Sequence, residues 1–345
     1  MQTGTIALVL NAHLPFVRQP DYPRFLEERW LFESLSETYL PLLRLFARLE
    51  AEHIPWKLTM AISPTLQAML SDKLLRERYS SWLETQLELA ERELARVGSD
   101  PVQGPLARMY HDLYRQNLED FNVLHGGNIL GAIDFYFKKG RLDLLTSGAT
   151  QAFLPIYRCF PEAVAAQVEA SVVSYRATFG RSPSGFWMPQ LGWYPGVESI
   201  LAAYGLSYSV VSTRGAMLGK PTPKAGSYAP VACPNGFTAF VRDVAATEAV
   251  WSETEGYPAD PAYRDFYRDI GFDLPLDYVG PYVEQGQIRT FTGFKYWAVT
   301  GPGDDKKPYD PELASAKAVE HAENFLYNRA RQAHKPAVAQ AVGVA

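Results

Sequence analysis

Residues 184–213, SGFWMPQLGWYPGVESILAAYGLSYSVVST, hold the pattern that decides the fold. A short apolar run closes on Trp187, and a proline bend leads into an aromatic, glycine-rich loop. Residues 196–204 then read as a short helix, and LSYSVVST (206–213) is a second apolar run ending in hydroxyl residues. Strand, loop, helix and strand in that order signal parallel pairing, because parallel neighbours need a crossover between them. The residue best placed for chemistry at the bend is Gln190. A glutamine is neither a nucleophile nor a general acid or base at neutral pH.

The same unit recurs along the chain. TGTIALVLNAH (3–13) predicts a buried strand near 5–10 that delivers His13 at its C-terminal end. Residues 25–50 have apolar positions at helical spacing and form one or two helices around Pro41. WKLTMAI (56–62) is a second strand, followed by Ser63 as a helix N-cap and Pro64 at the first helical position. Helices follow over 73–98 and 105–124, a third strand near 142–146, a helix over 161–179 and the fourth strand at SGFWMPQ. Polar residues at every strand end imply an α/β chain with a parallel, barrel-like sheet whose site is built from the loops after the strands. A doubly wound sheet is the structural alternative, but no GxGxxG or Walker loop supports a nucleotide site. Residues 214–310 are rich in Gly, Pro and aromatics and read as inserted active-site loops. Residues 309–332 return to an amphipathic helix. One barrel domain over 1–332 with a flexible tail at 333–345 is the expected organisation.

The chain has 345 residues, 47% hydrophobic and 21% charged, as a globular protein with a sizeable core requires. Its formal charge of −5 argues against a nucleic-acid surface, which needs clustered cations. No run approaches the ~18 apolar residues of a membrane span. MQTGTIALVL lacks the cationic start of a signal peptide, and Cys159 and Cys233 are too few for a disulfide framework. A cytoplasmic location is therefore expected. Aromatics reach 13%, with 20 Tyr, 18 Phe and 7 Trp. Most belong to a core, but flat Trp and Tyr faces also suit a sugar cleft.

Several residues admit two readings each. His13 is either a hydrogen-bonded structural histidine or a ligand for a sugar hydroxyl. TSGATQ (146–151) is either an ordinary turn, with Gln151 on the surface, or a close-approach loop. Trp187, Trp193 and Tyr194 around the proline bend serve equally as core or as a carbohydrate platform. Residues 242–275 carry acidic side chains among Trp251, Tyr257 and Tyr263, without HxH, HExxH or EF-hand spacing, so no metal site is expected. Asp243 reads as an ion-pair partner of Arg242, and His321 as a helix-surface or helix–barrel contact.

Together these segments resemble the family 57 glycoside hydrolases of the α-1,4-glucan branching enzyme type. The similarity runs through LVLNAHLPFVR, EERWLFESLSETYLPLL, TSGATQAFLP, GFWMPQLGWYPG, VWSETEGYPADPAYRDFYRDIGFDLP, FTGFKYWAVTG and PYDPELASAKAVEHAENFLYNR. The resemblance implies an incomplete, TIM-like (β/α)7 barrel with helical additions, acting on amylose, glycogen or maltooligosaccharides without a cofactor. It also implies retaining chemistry, with a Glu nucleophile after the fourth strand and an Asp acid/base after the seventh. Two such carboxyls lie roughly 5–5.5 Å apart. On the same resemblance His13 matches a sugar-contacting histidine of the first motif and Trp30 an aromatic near the cleft. Tyr228 matches a tyrosine on a mobile loop, Trp251 a cleft tryptophan and His321 the histidine of the fifth motif.

The departures matter as much. Gln190 stands where the family's FWLPE motif has its nucleophile, and Gln151 stands where GATH has a histidine. The acid/base motif, the last strand and the C-terminal helical domain are expected to be missing, since PYDPE at 308–312 precedes the His321 helix rather than following it. Three functions follow as expectations: a glucan-binding chain with impaired or no catalysis; an active transglycosylase in which Asp243, Glu253 or another chain supplies the missing group; or a non-catalytic subunit of a full-length paralogue or of a second copy of itself. Metal-dependent deacetylation of polysaccharides would need an Asp and His cluster at strand ends, where only His13 is suitably placed.

Overall fold

A computed structural model of the chain describes residues 4–283, 288–301 and 305–341, with 334–341 as backbone alone. Strands β1 (Val9–Ala12), β2 (Leu58–Ile62), β3 (Leu142–Ser147), β4 (Gly185–Trp187), β5 (Tyr208–Val211), β6 (Val231–Ala232) and β7 (Thr238–Val241) form one sheet. Their order is β1-β2-β3-β4-β5-β7-β6, and every neighbouring pair is parallel except β6 with β7. This is the expected α/β architecture, a TIM-like barrel sheet with helical additions. Among the described residues no pairing joins β1 to β6, so the barrel is open there.

The helical additions come first in the chain. Helices α1 (Glu28–Ser34) and α2 (Leu40–Ala51) are joined by a π turn at Leu35–Tyr39. The wider turn accommodates Pro41, which has no N–H to give and whose ring would crowd an ordinary helix. Helix α3 (Pro64–Ser71) begins where expected, its N-cap Ser63 accepting from Leu66 N. Asp72 caps the long α4 (Lys73–Val97) in the same way, and α5 (Gln103–Glu119) and α6 (Ile129–Lys138) complete this layer. These helices bury Leu31, Phe32, Tyr79, Tyr110 and Tyr114 against Met60, Ile62 and Leu144 of β2 and β3.

A smaller core serves the β4 half of the sheet. Helix α7 (Pro161–Phe179) ends on Gly180, whose φ of 68° needs no Cβ-bearing residue, and α8 (Val197–Ala203) follows the bend. Val164, Val168 and Val172 of α7 meet Phe186 and Met188 beside β4. Gly185 leaves room for the Tyr208 ring, whose hydroxyl crosses from β5 to Asp143 of β3; a Cβ there would overlap that ring.

The stretch 214–310 departs from the sequence reading. It contains β6, β7 and helix α10 (Val244–Trp251), preceded by the short α9 (Thr213–Met217), and β7 is an integral parallel strand rather than loop. Ile270, Tyr282, Phe294 and Tyr296 from the same stretch belong to the larger core. After the short turns α11 (Ile270–Asp273) and α12 (Leu276–Val279), the final helix α13 runs Pro311–Ala341. It passes position 332, where the sequence reading placed the start of a tail; residues 342–345 lie outside the described residues. Among the described residues no helix is long and apolar enough to cross a membrane.

Candidate active site

Because the strands are parallel and in register, their C-terminal ends lie along one edge of the sheet. Ser147, Trp187, Val210 and Phe240 are level across β3, β4, β5 and β7. On the other side of β3, Ala12 is level with Ile62, and Ser63 N continues the β1–β2 ladder by donating to Ala12 O at 3.1 Å. His13 and Ser63 thus stand together. His13 Nδ1 is 3.0 Å from Ser63 Oγ and 3.4 Å from Thr65 Oγ1. The imidazole is half-buried, and burial holds its pKa below the ordinary 6.5, so it is neutral at pH 7. No partner reaches its Nε2 among the described residues.

The loops after β3 and β4 are locked to each other. Ser147 Oγ donates to Trp187 O at 2.8 Å, and a Cβ on Gly148 would lie 3.1 Å from the Pro189 ring. Gly192 is pressed so closely on Phe153 that a side chain there would overlap its ring and crowd Pro155. Gln167 of α7 closes the first loop, its backbone oxygen taking Ala149 N and its Oε1 taking Thr150 N.

Within these loops the backbone is strained. Four non-glycine residues of the described chain have φ in the left-handed region, and three of them are Gln151, Gln190 and Leu191, with φ of 56°, 53° and 53°. Left-handed backbone in consecutive L-residues persists only where the surroundings impose it, and such residues cluster at functional sites. Gln190 is exposed at the strand-end edge, while Gln151 Nε2 is buried without a hydrogen-bond partner among the described residues.

The remaining expected residues fall into three groups. Trp187 sits half-buried at the top of β4, beside the Gln190 bend. Trp193 packs on Phe237 with ring centroids 6.0 Å apart, and Tyr194 packs on the same smaller core, so those two serve packing. Trp30 on α1, Tyr228 after α9 and Trp251 at the end of α10 are 49%, 47% and 79% exposed. No hydrogen bond or ring contact joins them to His13, Gln151 or Gln190 among the described residues.

His321 has a different setting. Its Nδ1 is 2.8 Å from Tyr263 Oη, its Nε2 is 3.5 Å from Asp260 Oδ2, and its ring stacks on Tyr257 at 4.6 Å. It fastens α13 to the 257–263 segment. Asp243 corrects the sequence reading: its ion pair is with Arg329 of α13 at 2.9 Å, not with Arg242. It also caps α10 through Ala246 N and accepts from Gln332, so both carboxylate oxygens are engaged in structural contacts. Glu253 is exposed. Sequence reasoning missed Thr65 and Gln167 entirely and took Ser63 only as a cap. A hydroxyl directly after an apolar strand was the available signal. Among the described residues no group of three or more His, Cys, Asp or Glu is placed to hold a metal ion.

With this geometry in hand, comparison with known proteins is decisive for the family. Residues 7–270 match the family model of glycosyl hydrolase family 57, and the chain belongs to that family. It is 28% identical to the 1,4-alpha-glucan branching enzyme TK1436 of Thermococcus kodakarensis, covering 94% of this chain and 48% of that protein. It is also 28% identical to the probable 1,4-alpha-glucan branching enzyme Rv3031 of Mycobacterium tuberculosis, over 94% of this chain and 59% of that one. The chain thus spans about half the length of the curated relatives it matches. Among solved structures, the alpha-amylase AmyC of Thermotoga maritima superposes with a TM-score of 0.91 at 38% identity, covering 97% of this chain and 65% of that one. The GH57-type branching enzyme of Pyrococcus horikoshii gives 0.79 at 26% identity, over 95% and 59%.

Proposed function

We propose that this chain binds α-1,4-glucan at the strand-end site and does not itself cleave it. The observation that carries the proposal is Gln190: a strained, exposed residue at the end of β4, at the position the family resemblance gives to the nucleophile, with an amide in place of a carboxylate. The relatives support the substrate class, since their names are those of α-glucan enzymes. The choice between branching and hydrolysis is secondary in a chain that does neither.

The chemistry follows from the side chains present. A glutamine amide offers a donor and an acceptor to sugar hydroxyls but cannot form a glycosyl ester. It also carries no charge to stabilise an oxocarbenium-like transition state. Loss of one member of a catalytic unit costs on the order of 10⁴–10⁶ in rate. Asp243 is held by Arg329, Gln332 and the α10 N-terminus, which speaks against its standing in as the missing carboxylate. His13 Nε2, the Gln151 amide and the Trp187 face remain as sugar contacts.

Calorimetry with maltoheptaose, together with assays for reducing ends and for branching of amylose, tests both halves. Binding without turnover is expected, and Gln190→Glu alone should not restore turnover. No binding at millimolar maltoheptaose overturns the glucan half; turnover by the unmodified chain overturns the other.

A further inference from the structure

The hydrogen-bond network behind His13 has a direction, and that direction decides what the histidine offers a ligand. Three side-chain atoms meet at the tops of β1 and β2. His13 Nδ1 lies 3.0 Å from Ser63 Oγ, Ser63 Oγ lies 3.0 Å from Thr65 Oγ1, and Thr65 Oγ1 lies 3.4 Å from Nδ1. Two outer bonds are fixed: Leu66 N–H donates to Ser63 Oγ at 3.3 Å, and Thr65 Oγ1 donates its only proton to Leu14 O at 3.0 Å. Toward its two side-chain neighbours Thr65 therefore has lone pairs alone.

Ser63 has one proton to place. If Nδ1 were bare, Ser63 could satisfy either Nδ1 or Thr65, and the other approach at 3.0 Å would set two lone pairs face to face. With the proton on Nδ1 every contact is filled. Nδ1–H donates to Ser63 Oγ, Ser63 donates to Thr65, and Thr65 donates to Leu14. Ser63 Oγ then accepts twice and donates once, the full capacity of a hydroxyl.

We infer that Ser63 and Thr65 are positioning residues that hold His13 in its Nδ1–H tautomer, so that Nε2 meets the ligand as a bare acceptor and accepts a hydrogen bond from a hydroxyl. The tautomer rests on the network; that the hydroxyl belongs to a glucan rests on the function proposed above. Burial keeps the imidazole neutral at pH 7, as an acceptor must be.

Long-range ¹H–¹⁵N correlation of the imidazole in the uniformly labelled full chain reads the tautomer directly. The unmodified protein should show a protonated Nδ1 and a bare Nε2. Thr65→Val leaves the Ser63 cap intact but removes the acceptor for its proton, which should then turn to Nδ1 and shift His13 toward Nε2–H. Maltoheptaose affinity should fall on the order of tenfold in that variant, the worth of one hydrogen bond. Thr65→Ser restores the hydroxyl and should behave as the parent in both measurements. An Nε2–H pattern in the unmodified protein overturns the inference, as does an unchanged pattern in Thr65→Val. Should Thr65→Val fail to fold, the parent and Thr65→Ser patterns still decide it. If the tautomers behave as stated but neither protein binds maltoheptaose, the glucan reading fails and the positioning network stands.

Discussion

Replacing Gln190 with glycine should make the protein more stable and a poorer binder at once. Gln190 has φ 53° and ψ 21° and is exposed, so its side chain contributes little packing to the folded state. Holding an L-residue in that region costs about 1–2 kcal/mol, which glycine does not incur. Against this, glycine widens the unfolded ensemble by about 0.4–1 kcal/mol. The difference is a net stabilisation of roughly 0.5–1 kcal/mol. Leu191 is an internal control, because its φ is also 53° but its side chain is only 8% exposed. Leu191→Gly gains the same relief and loses about 2–5 kcal/mol of core, so it should be clearly destabilised. Guanidinium unfolding with an unchanged slope separates the two variants, since a shift in midpoint at constant slope is a change in stability. Maltoheptaose affinity of Gln190→Gly should fall together with the loss of the amide. A Gln190→Gly variant destabilised by more than about 1 kcal/mol would refute the claim that this bend is strained for the sake of its ligand.

Other expectations follow from single residues. Asp269 is fully buried and accepts from Gly271 N, Thr292 N, Thr292 Oγ1 and Gly293 N at 2.6–2.9 Å. Asp269→Asn turns one acceptor into a donor facing an N–H, and unfolding should show a loss of about 3–5 kcal/mol. Asp243→Ala removes the α10 cap and the Arg329 pair, for about 1–2 kcal/mol, and amide exchange should quicken in the first turn of α10. Burial lowers the pKa of His13 and of His125, so below pH 6.5 the unfolded chain takes up protons that the folded chain does not. Stability should therefore fall on acidification from about pH 6.5 downward, and glucan binding should follow as His13 Nε2 is protonated; a binding curve flat down to pH 4 would contradict its role as acceptor.

The sequence is legible where a run of apolar residues ends on a polar one. That rule located His13 and Gln190 at their strand ends, and capping chemistry placed Ser63 at the start of α3. It failed for β7, because Thr238–Val241 lies inside a long stretch of glycines, prolines and aromatics that reads as loop as a whole. It also failed for Asp243. Adjacent charges at a strand-to-helix junction point in different directions, so Arg242 was a neighbour in sequence only, and the true partner Arg329 lies 86 positions away. His321 shows the same limit: its identity was visible, but its contacts with Tyr263 and Tyr257 are tertiary. The left-handed backbone at Gln151 and Gln190 was invisible for a further reason. Neither residue is one that prefers that conformation, and only the packing of the surrounding loops imposes it.

That last point bears on how a catalytic site and a binding site differ on one fold. The strain at Gln190 does not come from charge, since no charge is there. The loops on either side are held by the contacts of Gly192 with Phe153 and Pro155, by Gly148 against Pro189, and by the hydrogen bond of Ser147 to Trp187 O. None of these contacts involves the side chain at position 190. A carboxylate placed there would be presented by the same backbone without any repacking, and an amide is presented in its place. The scaffold is thus indifferent to the single atom that separates nucleophile from ligand contact. Under the function proposed above, shape recognition of a sugar persists at this site without a carboxylate at position 190, and an intact strand-end geometry then argues for binding and carries no weight for turnover.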